Sequence, residues 1–463
     1  MEIIIKIAQF FLSLTVLVLI HEFGHYFTAR LFKIRVEKFY IFFNPWLSLV
    51  RTKVIAGKRK FSWLSKKTPE TWKDEPGNTE WGIGWLPLGG YVKIAGMIDE
   101  SMDKEQMKQE PQPWEFRTKP AWQRLIVMIA GVCMNILLAV GIYILLLFFI
   151  GESYLPTKNL KYGIVVDSIA YDIGLRNGDK ILSVDNKYIE NFKEIPIEII
   201  FNQSKTIQVL RDSLELNINI PEGFIGKIVD SKKLSFIDYR FPFVIEDFTP
   251  NSIAQKAGML PGDQIIAIND ISTQYYDEFK KTLPDFVNQN VIITVLRNNQ
   301  TIEIPLKLSE TPMIGVAVKD PSNFLSFAVK EYSFWQAIPA GTLKTYKTTV
   351  DYFKQFKLLF TSKEVKVSEN LGGFISIGKI FSPQWDWVHF WSITAFLSVI
   401  LAFMNILPIP ALDGGHVLFL LFEMITRRKP SEKFLEYAQY AGLAILLSLV
   451  LFANVNDIIR LFK

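Results

Sequence analysis

Four stretches of this 463-residue chain are long and apolar enough to cross a bilayer, and no other feature restricts its fold as strongly. A hydrocarbon core takes about 20 helical residues. Between Lys6 and Arg30 the only charged residue is Glu22, and residues 125–151, 387–412 and 437–456 contain no Asp, Glu, Lys or Arg at all. Lipid offers backbone groups no hydrogen bonds, so each run reads as a spanning helix. The first has only a weakly basic start and no small-residue cleavage pattern after it, so it reads as a retained span rather than a secretory signal. Composition agrees: 49% hydrophobic, 14% aromatic and 21% charged residues exclude disordered, collagen-like and nucleic-acid-tail classes. The lone Cys133 rules out an intramolecular disulfide and a Cys-rich zinc site, and within its apolar run it reads as a packing residue.

The net charge of +5 is small, and its placement bears on topology rather than on a polyanionic partner. Residues 30–73 carry twelve Lys or Arg against two acids, Glu37 and Glu70, and the connection between the last two spans carries Arg427, Arg428 and Lys429. With four spans these two basic loops fall on one side, which the basic-residue rule makes cytoplasmic. Both termini and residues 152–385 are then expected outside the cytoplasm, and nucleic acid is not an expected partner.

The middle of the chain repeats. Residues 167–181 (DSIAYDIGLRNGDKI) align at a constant offset with residues 251–265 (NSIAQKAGMLPGDQI), which implies two copies of one small domain. Each copy places a short helix, Ile169 to Ile173 or Ala254 to Ala257, before a Gly-Asp turn and an alternating strand, Lys180 to Val184 or Gln264 to Ile268. The pattern resembles that of PDZ domains, which implies either a groove where an extended peptide adds as a strand or a spacer that binds nothing. No histidine lies in this region.

The chemistry sits in the first span, where His21-Glu22-Phe23-Gly24-His25 is an H-E-x-x-H sequence. Residues four apart share a helix face, so both imidazoles can hold one cation while Glu22 reaches a water bound to it. Zinc suits imidazole and lowers the pKa of bound water to about 7. Glu22 would take that proton and deliver it to the leaving amine. A carboxylate inside a bilayer costs about 3 kcal/mol, so it is not expected there without a role. The remaining histidines, His389 and His416, and the acids near the third span are the candidates for a further ligand. There the sequence 404–416 (MNILPIPALDGGH) carries two prolines and two glycines, an interruption tolerated in a membrane only where backbone is buried in protein or lines a cavity. Asp413, presented at the end of the broken helix, is the expected third ligand.

H-E-F-G-H in a first span together with N-x-L-P-I-P-x-L-D-G-G-H in a later one resembles the site-2 protease family of intramembrane zinc metalloproteases, most closely the bacterial regulator-of-sigma-E protease branch with tandem PDZ domains. The resemblance implies zinc on His21, His25 and Asp413 with Glu22 as general base. It also implies that Asn405 helps hold the substrate backbone or the developing oxyanion. His416 is expected to orient Asp413, with service as an alternative ligand ranked second. Residues 85–97 resemble that family's membrane-associated β-hairpin, Gly131 and Asn135 its G-x-x-x-N pattern, read here as helix packing, and residues 371–377 its access loop without the usual proline. Residues 322–360 read as an amphipathic segment, either on the outer membrane surface or packed under the PDZ-like copies.

The expected fold is therefore an α-helical membrane protein with four transmembrane helices forming a zinc metalloprotease core, two small α+β PDZ-like domains outside the cytoplasm and a membrane-associated β-hairpin. Its expected parts are an N-terminal membrane half, 1–151, with spans at 4–29 and 124–151 around a basic loop and hairpin at 30–121. PDZ-like domains follow at 160–232 and 240–312, then a surface region with the access loop at 320–385. A C-terminal membrane half, 387–463, has spans at 387–412 and 437–457. The implied location is the bacterial inner membrane. The implied partners are the lipid bilayer and single-span membrane substrates such as anti-sigma factors after a first cleavage, or remnant signal peptides. Two rivals stand beside this reading: a membrane metalloprotease that cuts extramembrane segments, and a scaffold whose zinc is structural.

Overall fold

Two units make up the chain in the computed structural model, which describes residues 2–72, 77–87, 89–97, 110–231, 236–361 and 372–461. One unit takes Met1–Gly151, Glu331–Lys354 and Leu371–Lys463, the other Glu152–Lys330 and Gln355–Asn370. Leu88 of the expected hairpin and Leu371 of the expected access loop lie outside the described residues.

The helices of the first unit are α1 (Glu2–Leu31), α2 (Ala121–Phe149), α3 (Phe334–Thr361, as far as Lys354), α4 (Phe374–Ile380), α5 (Trp387–Ile406), α6 (Asp413–Thr426) and α7 (Glu432–Leu461). Among the described residues α1, α2, α5 and the Lys433–Ile459 part of α7 are long and apolar enough to span a membrane. Their polarity is reversed relative to a soluble bundle. A single stripe of α1 buries Gln9, Ser13, His21 and His25, while Ile3, Ile4, Phe23, Phe27 and Leu31 are exposed. An apolar solvent imposes this, because polar groups must find partners inside. Thr394 donates to the Ser13 hydroxyl at 3.0 Å, the Ser398 hydroxyl to the Asn135 carbonyl at 2.7 Å, and the Gln9 amide to the Ser382 carbonyl at 2.9 Å. Cys133, expected to pack, is exposed on α2.

The third span ends sooner than its apolar run. Pro408 and Pro410 lack backbone donors and cannot continue a helix, so α5 stops at Ile406 and residues 407–412 cross without helix, Ala411 taking φ 82°. Asp413 thus opens a new helix, α6, rather than closing the old one. A β-carbon on Gly442 of α7 would stand 1.7 Å from the Pro410 carbonyl oxygen, so only glycine lets α7 lie against this crossing. Farther along α6, Glu423 pairs with Arg124 of α2 at 2.5 Å. Helix α3 has aromatic contacts with two of the spanning helices. Phe334 stands edge-on to Phe148 at 5.7 Å, and Tyr352 to Phe403 of α5 at 5.2 Å.

Between α1 and α2 lie five strands: β1 (Val36–Tyr40), β2 (Phe43–Ile55), β3 (Lys58–Ser65), β4 (Glu80–Leu86) and β5 (Tyr91–Ile94). They form one sheet in the order β3-β2-β4-β1-β5. The expected hairpin over 85–97 is not one, because β1 separates its two strands, pairing parallel with β4 and antiparallel with β5. Side chains on β1 explain the insertion: Phe39 lies 4.5 Å from Trp81, and Tyr40 stacks on Tyr91 at 5.3 Å. The buried Tyr40 hydroxyl donates to Glu80, whose charge Arg51 balances. Burial, and then the Glu80 carboxylate, hold that hydroxyl protonated well above its ordinary range. The true hairpin joins β2 and β3. Strand β5 is an edge.

The second unit carries two α/β modules, consistent with the PDZ-like repeat. Strands Lys180–Val184, Thr206–Arg211 and Leu214–Asn219 form the first module's main sheet, and Gln264–Ile268, Asn290–Arg297 and Gln300–Lys307 the second's. Each closes with a strand beyond the expected limits of 232 and 312: Ile237–Tyr239 pairs back to Ile164–Val166, and Val316–Val318 to Ile245–Phe248. Ala170, Leu175, Ile181 and Val184 sit in one core, and their repeat counterparts Ala254, Met259, Ile265 and Ile268 in the other. The Gly-Asp turn has a common reason in both. Gly178 and Gly262 take φ 93° and 95°, a left-handed conformation that favours glycine. The buried Asp179 and Asp263 each accept two bonds of 2.7 Å from one guanidinium, Arg211 and Arg297 respectively. Such forked pairs are the geometry that makes a buried carboxylate tolerable.

Candidate metal centre

One buried stripe of α1 brings His21 and His25 together, one turn apart, 7% and 6% exposed. Their Nε2 atoms are 3.2 Å apart, and Asp413 Oδ2, at the start of α6, stands 3.1 Å from the first and 3.3 Å from the second. Among the described residues these three are the only group of His, Cys, Asp or Glu side chains placed to share a metal ion. The triangle has the right size for zinc. A tetrahedral ion with bonds of about 2.0–2.1 Å needs its ligand atoms about 3.3–3.4 Å apart.

Protonation points the same way. His25 Nδ1 lies 2.8 Å from the Val127 carbonyl, which can only accept, so the proton of the neutral ring sits on Nδ1 and Nε2 presents a lone pair. Asp413 Oδ2 therefore receives no proton from His25, and it is buried without a hydrogen-bond donor. Two ring nitrogens converging on an orphaned carboxylate oxygen are what a cation relieves, so the residues present fit the ion. Two imidazoles and one carboxylate with a fourth position free make a catalytic rather than a structural donor set.

Glu22 lines the same cleft, a space of about 700 Å³ that His21, His25, Asn405, Asp413 and His416 also border. The Asn405 amide nitrogen at the end of α5 is 3.3 Å from His21 Nε2. His416 lies on the cleft wall a turn beyond Asp413 with no hydrogen bond to it. His389 is elsewhere, bonded at 2.9 Å to the Ile380 carbonyl and about 24 Å along α5 from Asn405 at helical rise. Across the cleft runs β5, with Tyr91, Val92, Lys93 and Ile94 on its wall, and the Val92 backbone N–H neighbours the Glu22 carboxylate. An edge strand beside a metal centre is where an extended chain can add to a sheet.

Sequence reasoning missed two contributors. Arg124, through Glu423, fixes α6 against α2. Asn135 lies 3.2 Å from His21 Nδ1, although its motif reads as packing. The G-x-x-x-N spacing was the available signal, but it does not say which helix face meets α1.

The profile described as Peptidase family M50 matches residues 9–57 and 58–449. A Vibrio cholerae protein named "Putative zinc metalloprotease" is 29% identical over 99% of this chain and its own whole length. The Haemophilus influenzae "Regulator of sigma E protease" is 27% identical over 98% of this chain and 99% of its own, and the Yersinia pestis "Protease RseP" 27% identical over 100% of both. With the donor set, the cleft and these full-length matches in agreement, the chain belongs to Peptidase family M50 and is a zinc metalloprotease.

Proposed function

We propose that the protein hydrolyses a peptide bond within, or at the edge of, a transmembrane segment of single-span membrane proteins, with zinc held by His21, His25 and Asp413. The observation that carries the reading is the convergence of two imidazole nitrogens and a carboxylate oxygen on one point among spanning helices, beside the edge strand of a sheet. Zinc, when bound, supplies a Lewis acid that makes water nucleophilic near neutral pH. Glu22 takes the proton that the attacking water loses and passes it to the amide nitrogen as the C–N bond breaks, leaving a free carboxylate and a free amine. The Asn405 amide is a donor at the position where a carbonyl oxygen gains charge. A helix conceals its peptide bonds, so the substrate must unwind, and addition to β5 gives the unwound segment partners for its backbone. His416 supports the wall near Asp413.

The domain scheme follows the same logic. A membrane half at each end carries the chemistry, and the PDZ-like modules between them read or filter the trimmed end of a substrate. The basic residues of 30–73 and 427–429 favour a cytoplasmic side for those loops in a bacterial inner membrane, with both termini and the modules outside the cytoplasm. Relatives named for sigma E regulation make anti-sigma factors the first substrates to try.

The test is zinc content and cleavage of a model single-span substrate by purified protein in detergent, wild type beside Glu22→Gln and Asp413→Ala. The expected result is one zinc and a cut mapped inside the span for wild type, bound zinc without cleavage for Glu22→Gln, and lost zinc for Asp413→Ala. Turnover by Glu22→Gln would sink the mechanism, and cuts confined to extramembrane segments would replace the substrate class.

A further inference from the structure

We propose that Asn135 is a positioning residue for His21 and that, with Gly131, it makes α2 the seat of the two imidazoles; the inference rests on the metal-site reading above. Asn135 is fully buried, with its amide nitrogen 3.2 Å from His21 Nδ1 and its Oδ1 without any partner. The two ends of an amide are assigned from their surroundings. Turned about its last bond, the same side chain places Oδ1 at His21 Nδ1, where it accepts the ring proton, and the amide nitrogen takes the place that Oδ1 leaves. His21 then matches His25, whose Nδ1–H donates to the Val127 carbonyl, also on α2. Both rings carry their proton away from Asp413, and both Nε2 lone pairs face it.

Gly131 supplies the space. A β-carbon there would stand 2.5 Å from His25 Nε2 and 2.6 Å from His21 Cε1, so both rings lie directly against its backbone. Gly131 and Asn135, four apart, share one face of α2. Ser398 of α5, donating to the Asn135 carbonyl at 2.7 Å, holds that turn in place. The G-x-x-x-N pattern is thus a ring seat: glycine admits the imidazoles and asparagine sets the tautomer of one of them.

The full-length protein in detergent, stripped of metal, is titrated with zinc against a fluorescent chelator, and the absorption bands of its cobalt form are recorded. Asn135→Leu, which keeps the volume and loses the acceptor, is expected to weaken zinc binding about 10–100-fold and shift the cobalt bands. Asn135→Asp retains the acceptor and is expected to keep the wild-type spectrum and an affinity within about threefold of wild type. Gly131→Ala, whose methyl group would crowd both rings, is expected to weaken zinc and alter the spectrum. Wild-type affinity and spectrum in Asn135→Leu would overturn the proposal, as would equal losses in Asn135→Asp and Asn135→Leu. If Asn135→Leu does not fold, a wild-type cobalt spectrum in Gly131→Ala overturns the seat. His21→Ala separates the two readings, since zinc bound there with wild-type affinity refutes the metal site itself.

Discussion

Asp413 is a carboxylate whose environment makes sense only with a positive charge beside it. Its Oδ2 is buried, lacks a donor, and faces two ring nitrogens. An uncompensated buried group of this kind costs about 1–3 kcal/mol, a penalty that zinc would remove on the proposed ligand set. Opposite signs of effect follow for one substitution. Asp413→Asn should raise the thermal midpoint of chelator-treated protein, because it removes a buried charge. It should also erase the rise that zinc gives wild type, which amounts to about 2.7 kcal/mol at one hundred times the dissociation constant. Thermal scans in detergent with chelator and with zinc, on both proteins, measure the two shifts. A zinc-dependent rise surviving in Asp413→Asn would remove Asp413 from the ligand set.

Helix α6 presents Asp413, and what fixes α6 is its contact with α2. The Arg124–Glu423 pair is largely buried, Arg124 also donates to the Lys119 carbonyl at 3.0 Å, and removing one partner of such a pair leaves a charge without compensation. Arg124→Met is expected to destabilise by about 3 kcal/mol or more and to weaken zinc, while Arg124→Met with Glu423→Leu recovers most of the stability. A double-mutant cycle on thermal midpoints checks this, and additive losses would show that the pair does not act as a unit. The elements were unequally readable in the sequence. The four spans, the H-E-x-x-H face and the Gly-Asp turns are local patterns, so residue order alone exposes them. The strand order around β1 is not local. Tyr40 must find Glu80 and Tyr91, and nothing in 85–97 states that a strand from before β2 will enter between β4 and β5. Arg211 and Arg297 were likewise invisible as partners of Asp179 and Asp263, because each pair closes across a sheet. The break after Ile406 was legible from its prolines, but the new helix was not, since Gly414 and Gly415 at its start disfavour one unless packing requires it.

At the scale of the molecule, the candidate metal centre and the PDZ-like modules fall in different units. Every proposed metal and proton-transfer residue lies in the unit built from Met1–Gly151, Glu331–Lys354 and Leu371–Lys463, and both PDZ-like cores lie in the other. The chain leaves the first unit and comes back through an antiparallel ladder, Glu152–Tyr154 against Ala328–Lys330, with Tyr154 directly opposite Ala328. Because these two residues already face each other, residues 155–327 can be replaced by an Asn-Gly turn, the shortest connection that suits a hairpin. The shortened protein is expected to bind zinc as wild type does and to cut a trimmed single-span substrate at a comparable rate. It should also cut the same substrate with its outer domain intact, which wild type should spare. Zinc titration and paired cleavage assays on the two substrates measure this. Continued rejection of the untrimmed substrate would place selection in the membrane unit, and loss of zinc would show that the modules are needed to hold His21, His25 and Asp413 in register.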